Sequence, residues 1–140
     1  MSRIFWDTNL FIYLLEDYGQ LTESVIRLAE RMYQREDQLY TSTCTLGELL
    51  FRPASVGDAA LCREYEEVLN RRSVLLPFGL EAARIYPVVR KDKTIRAPDA
   101  IQLACAAQAR IDLFIPNDER LSGKTVPGIQ FIVPLSKAYL

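Results

Sequence analysis

The sequence predicts an α/β fold in which a mainly parallel sheet of five strands is covered by helices on both faces. Short apolar or β-branched runs alternate with longer amphipathic stretches, as expected of repeated β–α–β units. The 140 residues are enough for one ordinary hydrophobic core, and no internal repeat or linker suggests a second unit. We therefore expect a single domain over residues 1–140, with a site at the carboxyl ends of the strands.

The first half of the chain predicts two strands and four helices. Asp7-Thr8-Asn9 has the residue types that begin a helix, directly after a short buried strand. Pro53 is expected to stop the third helix, and Ser55 is expected to cap the fourth. The predicted strands cover residues 4–6 and 39–43, and the predicted helices cover 10–18, 22–35, 44–51 and 55–70.

The second half predicts three strands and two helices. Pro87 should kink or end the first of these helices, whereas Pro98 suits the first position of the second. The predicted strands cover residues 73–76, 113–115 and 129–133, and the predicted helices cover 80–91 and 98–110.

Composition restricts the class of protein. The chain has no apolar run of the roughly 18 residues that cross a membrane and no early signal-peptide pattern, so we expect a cytoplasmic protein. Cys44, Cys62 and Cys105 are widely spaced and odd in number, which indicates small apolar residues in a reducing compartment. The formal net charge of −1 argues against a generally electrostatic nucleic-acid binder. A basic cluster between residues 84 and 96 could contact phosphate or could be a solvated helix end.

Four acidic residues are the strongest candidates for a functional site. Asp7, Glu48, Asp99 and Asp118 each lie near a junction between a predicted strand or loop and a helix. A parallel sheet could gather them at one edge, and an all-oxygen pocket suits hard divalent cations such as Mg²⁺ or Mn²⁺. The chain has no histidine, which removes serine–histidine and cysteine–histidine mechanisms. Metal-assisted chemistry on a phosphate ester is the remaining class that fits best.

Each of these acids also has a local explanation. Asp7, Asp99 and Asp118 could serve only as helix caps, first-turn residues or turn residues. Glu48 lies inside a predicted helix among leucines, where it could form an exposed pair with Arg52 one turn later. Two carboxylates about 4 Å apart repel by roughly 4 kcal/mol at an effective dielectric constant near 20. A fold that gathers all four acids therefore needs cations to offset the repulsion.

Four segments, in order along the chain, resemble the acidic motifs of PIN-domain ribonucleases, and in size most resemble the small VapC-type toxins. They are Phe5-Trp6-Asp7-Thr8-Asn9, Thr45-Leu46-Gly47-Glu48-Leu49, the stretch from Arg96 to Ala104, and Leu113-Phe114-Ile115-Pro116-Asn117-Asp118. The resemblance runs nearly end to end. It departs at Pro116, where such proteins more often have a small hydroxyl residue, and at Pro87 in the helix before the third motif.

This resemblance implies a three-layer α/β/α sandwich that cleaves RNA phosphodiester bonds with Mg²⁺ or Mn²⁺. It implies that Asp7, Glu48, Asp99 and Asp118 are both the catalytic residues and the metal ligands, with Asp7 and Asp99 as the principal ligands. Thr8, Asn9 and Asn117 would support them through hydrogen bonds. Arg90, Lys91, Lys93 and Arg96, from the basic cluster, are candidate contacts to the RNA backbone.

The first predicted helix suggests a protein partner. Residues 10–15 are apolar around the whole helix, so they are either deeply buried or form a groove for another chain. The resembled toxins form homodimers and bind an antitoxin, and we expect the same here.

Two other functions compete with a nuclease. One is a PIN-like RNA-binding module without catalysis. The other is a receiver-like phosphoacceptor domain, which fits poorly because Asp7 is followed by Thr8 and no lysine lies at the end of the last predicted strand.

Overall fold

A computed structural model describes residues 1–140 and contains one five-stranded sheet between two helical layers. The strands are β1 (Arg3–Trp6), β2 (Gln38–Ser42), β3 (Val74–Leu76), β4 (Ile111–Ile115) and β5 (Ile129–Ile132). The helices are α1 (Thr8–Leu15), α2 (Gln20–Arg35), α3 (Thr43–Ser55), α4 (Ala59–Arg72), α5 (Leu80–Val89) and α6 (Ala97–Gln108). Short 3-10 turns cover Glu119–Leu121 and Leu135–Lys137. The predicted α/β/α sandwich is confirmed.

All strand pairs are parallel, and the strand order is β3-β2-β1-β4-β5. The chain builds the sheet outward from β1 on one side and then crosses to β4 on the other. The direction of winding therefore changes between β1 and β4, and the carboxyl ends of such strands are where open α/β sheets bind ligands. The order also differs from the 2-1-3-4-5 arrangement of receiver-type folds, so the receiver-like alternative is wrong.

The two faces of the sheet bury separate hydrophobic clusters. Along β1, Ile4 and Trp6 face a cluster with residues of α1–α4, whereas Phe5 faces the cluster of α5 and α6. Phe5 stacks on Phe114 of β4 with ring centroids 4.9 Å apart. This alternation is the two-residue period of a strand that is covered on both sides, which is why the apolar run in β1 is continuous.

Proline ends neither α3, as was predicted at Pro53, nor α5, whose predicted range of 80–91 already ran past Pro87. Helix α3 continues through Pro53 to Ser55, and α5 continues through Pro87 to Val89. Each proline lies in the last turn, where the hydrogen bond that it removes is one of the last in the helix. Ser55 therefore belongs to α3, and α4 is capped by Asp58, whose side chain accepts from the Leu61 amide at 3.0 Å.

Other predicted features are placed as follows. Pro98 is the second residue of α6 rather than the first. All three cysteines are free, but only Cys105 is fully buried, while Cys44 and Cys62 are half-buried. None of the helices combines the length and the apolar character that a membrane crossing requires.

Candidate active site at the carboxyl edge of the sheet

The four acidic residues lie on elements that meet at the carboxyl edge of the sheet. Asp7 directly follows β1 and caps α1, and Asp118 follows β4 after Pro116 and Asn117. Glu48 is in α3, which leaves β2, and Asp99 is in the first turn of α6. The fold therefore gathers residues from four distant segments around the place where the winding direction changes.

Asp7 is buried and is held by neutral donors. Its side-chain oxygen Oδ1 accepts from the Thr8 amide at 2.9 Å and from Gln102 Nε2 at 3.0 Å, and Oδ2 accepts from the Asn117 amide at 3.2 Å. Burial raises the pKa of Asp7, and the nearby Asp99 carboxylate adds to that rise, while the three hydrogen bonds oppose it. No lysine or arginine pairs with this carboxylate.

A buried network of polar side chains holds Asp7 in position. Gln102 Nε2 also donates to the Thr45 hydroxyl at 2.8 Å, and its carbonyl oxygen accepts from the Ser42 hydroxyl. The Thr41 hydroxyl lies 2.8 Å from that of Thr45 and 2.9 Å from the carbonyl oxygen of Trp6. The network joins the ends of β1 and β2 to α3 and α6, so the position of Asp7 is set by several elements at once.

Glu48 has no ion-pair partner of its own. The expected pair with Arg52 does not form, since Arg52 instead lies 3.4 Å from Glu16. Partial burial raises the pKa of Glu48, and the Asp7 and Asp99 carboxylates add to the rise, while the Thr8 side chain opposes it. Glu48 is therefore close enough to Asp7 and Asp99 for their charges to raise its pKa, and no positively charged side chain pairs with it.

Asp99 and Asp118 form the other half of the site. Burial raises the pKa of Asp99, with a further rise from Asp118 and an opposing effect of Arg96 and Arg120. Asp118 itself differs, because hydrogen bonds from Arg120 lower its pKa. It accepts the Arg120 amide at 2.8 Å and caps the 3-10 turn that follows β4, as its local explanation anticipated.

The three predicted supporting residues all lie beside Asp7. Thr8 is buried, and its hydroxyl lies 3.4 Å from that of Thr45. The Asn9 amide donates to Asn117 Oδ1 at 2.7 Å, and the Asn117 amide in turn donates to Asp7. Asn9 therefore contributes through its backbone, and Asn117 joins the α1 start to the segment after β4.

Only one of the four predicted RNA contacts lines the cleft beside the acids. This open cleft has a volume of about 350 Å³, and its wall includes Arg96, Asp99, Asp118, Arg120 and Lys124. Arg90, Lys91 and Lys93 are exposed at the end of α5 and in the loop that follows, and Arg90 packs over the ring of Tyr86. Sequence reasoning missed Arg120 and Lys124, which are separated from the basic cluster by α6 and β4.

The donor chemistry of the site fits a hard divalent cation. Asp7, Glu48 and Asp99 are carboxylates without an ion-pair partner, and the charge of Asp99 raises the pKa of both Asp7 and Glu48. Their side chains, as placed here, do not bring three carboxylates close enough to hold one ion. The edge therefore offers the right ligand types, but a cation would have to draw the side chains together.

Gln102 and Thr45 are the site residues that sequence reasoning left without a role. Both lie within the quoted acidic motifs, and Gln102 is three residues after Asp99, on the same side of α6. A polar amide within the otherwise apolar run of residues 100–107 was the available signal. Since a buried amide needs hydrogen-bond partners, that run indicated a polar neighbour at this helix face.

Comparison with known proteins agrees with this architecture. A chain of VapBC2 from Rickettsia felis, bound to a promoter DNA fragment, is similar with a TM-score of 0.73 and 14% identity, covering 94% of this chain and 98% of that one. A chain of DNA-bound VapBC from Salmonella typhimurium has a TM-score of 0.70 and 20% identity, with coverages of 96% and 99%. A chain of a toxin-antitoxin complex from Klebsiella pneumoniae has a TM-score of 0.67 and 18% identity, with coverages of 90% and 94%.

At these identities, the solved structures establish similarity of fold. No curated protein matches the sequence. The profile of the PIN domain, however, matches residues 4–125, which include all four acidic motifs and all but the last strand of the sheet. The chain belongs to the PIN domain family.

Proposed function

We propose that this protein is a metal-dependent endoribonuclease and the toxin of a VapC-type toxin–antitoxin pair, with residues 1–140 forming one nuclease domain. The observation that carries the proposal is the group of Asp7, Glu48 and Asp99, three carboxylates without an ion pair at the carboxyl edge of a PIN-domain sheet. Repulsion between them is a cost that a fold retains for function.

Asp7, Glu48, Asp99 and Asp118 are the proposed ligands of Mg²⁺ or Mn²⁺. When bound, such a cation polarises a phosphodiester, lowers the pKa of a water molecule and stabilises the leaving oxygen. Asp7 is the best positioned ligand, because three donors and the network behind them hold both of its oxygens. Thr8 and Asn117 orient it through their backbone amides, and Asn9 holds Asn117.

Glu48 is the proposed proton acceptor. Its carboxylate has no ion-pair partner, and burial with neighbouring negative charge raises its pKa against an opposing hydrogen bond with the Thr8 side chain, which makes it a stronger base than an ordinary glutamate. A carboxylate oxygen of Glu48 would take the proton of the attacking water. Asp99 belongs to both parts of the site. Its carboxylate interacts with the charge of Asp118, and it also lines the cleft.

The cleft supplies the proposed binding surface for RNA. Arg96 and Lys124 place positive charge on the wall that also contains Asp99 and Asp118, so a phosphodiester bound there would lie against the acids. Arg90, Lys91 and Lys93, which are exposed nearby along the chain, would extend this contact. An intact set of acids favours this activity over an RNA-binding module without catalysis.

Cleavage assays on purified protein test the proposal. Total cellular RNA should be cut by the wild type with Mn²⁺ or Mg²⁺ and left intact in EDTA. Asp7→Asn and Glu48→Gln should each lower the rate by about 100-fold or more, since the rate depends on the ligand and the base. The matched controls are Asp112→Asn, at the amino edge of the sheet, and Glu66→Gln, on the exposed face of α4. Equal cleavage by all variants, or none by the wild type, would contradict the proposal.

Thermal unfolding tests the metal separately. A cation that binds only the folded chain adds about 2.7 kcal/mol to the free energy of unfolding at 100 times its dissociation constant. Millimolar Mn²⁺ should therefore raise the unfolding midpoint of the wild type and of the Asp112→Asn control, but raise that of Asp7→Asn much less. An unchanged wild-type midpoint would exclude the metal site.

An antitoxin is the proposed protein partner. Half-exposed apolar side chains of α1 continue into a small cleft that includes Ile12, Leu15, Leu49 and Tyr65 and reaches Glu48. A partner chain covering this surface would also cover one of the acids. The solved structures similar in fold include a toxin-antitoxin complex, which supports this assignment.

We further propose that the chain acts in the cytoplasm as a homodimer and does not bind membranes. Expression with the neighbouring genes followed by purification should recover a small protein partner, and light scattering should give the mass of a dimer. A monomer that never recovers a partner would contradict both assignments.

A further inference from the structure

Asp118 is the one acid of the site that already forms an ion pair with a positively charged side chain. Arg120 Nε lies 3.1 Å from Oδ1 and 3.0 Å from Oδ2, and Nη2 lies 2.8 Å from Oδ2. The Arg120 backbone amide adds a contact to Oδ1 at 2.8 Å. A second guanidinium, that of Arg96, lies 3.8 Å from Oδ2. The other three acids have no ion pair.

These contacts use the whole acceptor capacity of the Asp118 carboxylate. A carboxylate offers about four lone-pair sites, two on each oxygen. Here each oxygen accepts two donor contacts, with Nε shared between the two oxygens. A divalent cation could therefore coordinate Asp118 only after the guanidinium leaves.

The same guanidinium is free to leave. The Arg120 side chain is 77% exposed, and its recorded side-chain contacts are those to Asp118. Arg120 also lines the open cleft with Arg96 and Lys124, so a released side chain has solvent-filled space beside it. An exposed ion pair of this kind contributes little to stability, and a divalent cation can displace it.

We propose that Arg120 is an exchangeable counter-ion of Asp118, which holds this carboxylate in the metal-free chain and gives it up when a divalent cation binds. The inference rests on the proposed function, because it assumes that Asp118 takes part in cation binding. It deepens that function by making cation binding a competition within the protein. The exchange also frees a positive charge into the cleft beside Asp99, where RNA is proposed to bind.

A double-mutant cycle on Mn²⁺ affinity tests the exchange. Isothermal titration calorimetry would compare the wild type with Arg120→Ala, Asp118→Asn and the double variant. Because Arg120 competes in the wild type, Arg120→Ala should bind Mn²⁺ about two- to fivefold more tightly, the range that an exposed ion pair can account for. In the Asp118→Asn background, the same substitution should change the affinity by less than about 1.5-fold, since no carboxylate is left to release.

A matched control separates exchange from general charge. Arg72→Ala removes the same charge from the end of α4, at the opposite edge of the sheet, and should leave Mn²⁺ affinity unchanged. Equal tightening by Arg120→Ala with and without Asp118 would show simple repulsion of the cation and would overturn the exchange. Equal Mn²⁺ affinity of the wild type and Arg120→Ala would also overturn it, leaving the proposed nuclease intact. Failure of all four proteins to bind Mn²⁺ would overturn both proposals, whereas binding by Arg120→Ala alone would support the exchange.

Discussion

The two halves of the acidic edge hold their carboxylates by different means. Asp7 is buried and receives hydrogen bonds from two backbone amides and from Gln102, all of them neutral. Asp118 is partly exposed and is held by the guanidinium of Arg120, with Arg96 nearby. Burial raises the pKa of Asp7, whereas hydrogen bonds from a cation lower the pKa of Asp118.

In the proposed metal site, this difference makes Asp7 a fixed ligand and Asp118 an adjustable one. Neutral donors in a packed interior fix the geometry of Asp7 but leave its charge uncompensated, so the site keeps its attraction for a cation. A guanidinium at the surface compensates the charge of Asp118 but can move away. The contrast predicts that mutations in the buried half change stability more than mutations in the exposed half.

The largest effect on stability is expected from Gln102→Ala. It removes one hydrogen-bond partner each from the Ser42 hydroxyl, the Thr45 hydroxyl and Asp7 Oδ1 and opens a small cavity, so the free energy of unfolding should fall by about 2–4 kcal/mol. Urea denaturation in EDTA measures it. The control is Gln108→Ala in the same helix, which loses only a hydrogen bond to the Pro77 carbonyl oxygen and should cost about 1 kcal/mol or less. Equal losses would contradict the special role of Gln102.

A smaller loss is expected from Thr45→Val, which keeps the shape of the side chain. The hydroxyls of Thr8 and Thr41 and the amide of Gln102 all contact the Thr45 hydroxyl, so its removal should cost about 1–2 kcal/mol. Thr43→Val, two residues earlier and exposed, should change the free energy of unfolding by about 0.5 kcal/mol or less. The same denaturation experiment compares them.

Asp7 and Glu48 also predict a dependence of stability on pH in the metal-free protein. Glu48 and Asp7 have pKa values raised above 4.5 and 3.8, so the folded state binds more protons than the unfolded state just above these values. Their contribution to stability is complete below the ordinary pKa and is lost as the pH rises through the raised one. Glu48→Gln should therefore lose less stability than the wild type as the pH rises above 4.5 in EDTA. Glu66→Gln is the control, and a decline as steep in Glu48→Gln as in the wild type would contradict the assignment.

The smallest effect is expected from Arg120→Ala in EDTA. The ion pair with Asp118 is exposed, so its loss should shift the unfolding midpoint less than either substitution in the buried network. Adding 1 M salt, which shortens the screening length to about 3 Å, should remove most of what shift there is. A destabilisation as large as that of Gln102→Ala would contradict this comparison, because the exposed pair of Arg120 and Asp118 would then matter as much for stability as the buried network.

The sequence predicted the fold well because strands and helices here have clear patterns. All five strands and all six helices were expected, since apolar runs such as Ile4-Phe5-Trp6 alternate with amphipathic stretches. The ends of α3 and α5 were harder to place because proline near a helix end removes only one hydrogen bond. The start of α4 was misplaced because Ser55 and Asp58 are both good caps, and local chemistry does not choose between them.

Less of the site could be predicted, because its contacts cross long stretches of sequence. The acids themselves were found from their positions at strand ends, but the pairing of Arg120 with Asp118 depends on side-chain conformation. Arg52 illustrates the same limit. It was expected to pair with Glu48, one turn away, but it pairs with Glu16 on another element. The amide of Gln102 in an apolar run signals a buried polar neighbour, but that neighbour is Asp7 only because α6 packs beside the end of β1.

The hydrogen bonds at Asp7 set an order of events during synthesis of the chain. The amide of Asn117 is 110 residues away from the carboxylate it binds, and Gln102 is 95 residues away. A nascent chain that ends before β4 contains Gln102 but lacks the Asn117 amide and the fourth acid. Non-local contacts of this kind form late because the closure of long loops comes first. The proposed nuclease site is therefore complete only when nearly the whole chain has been made.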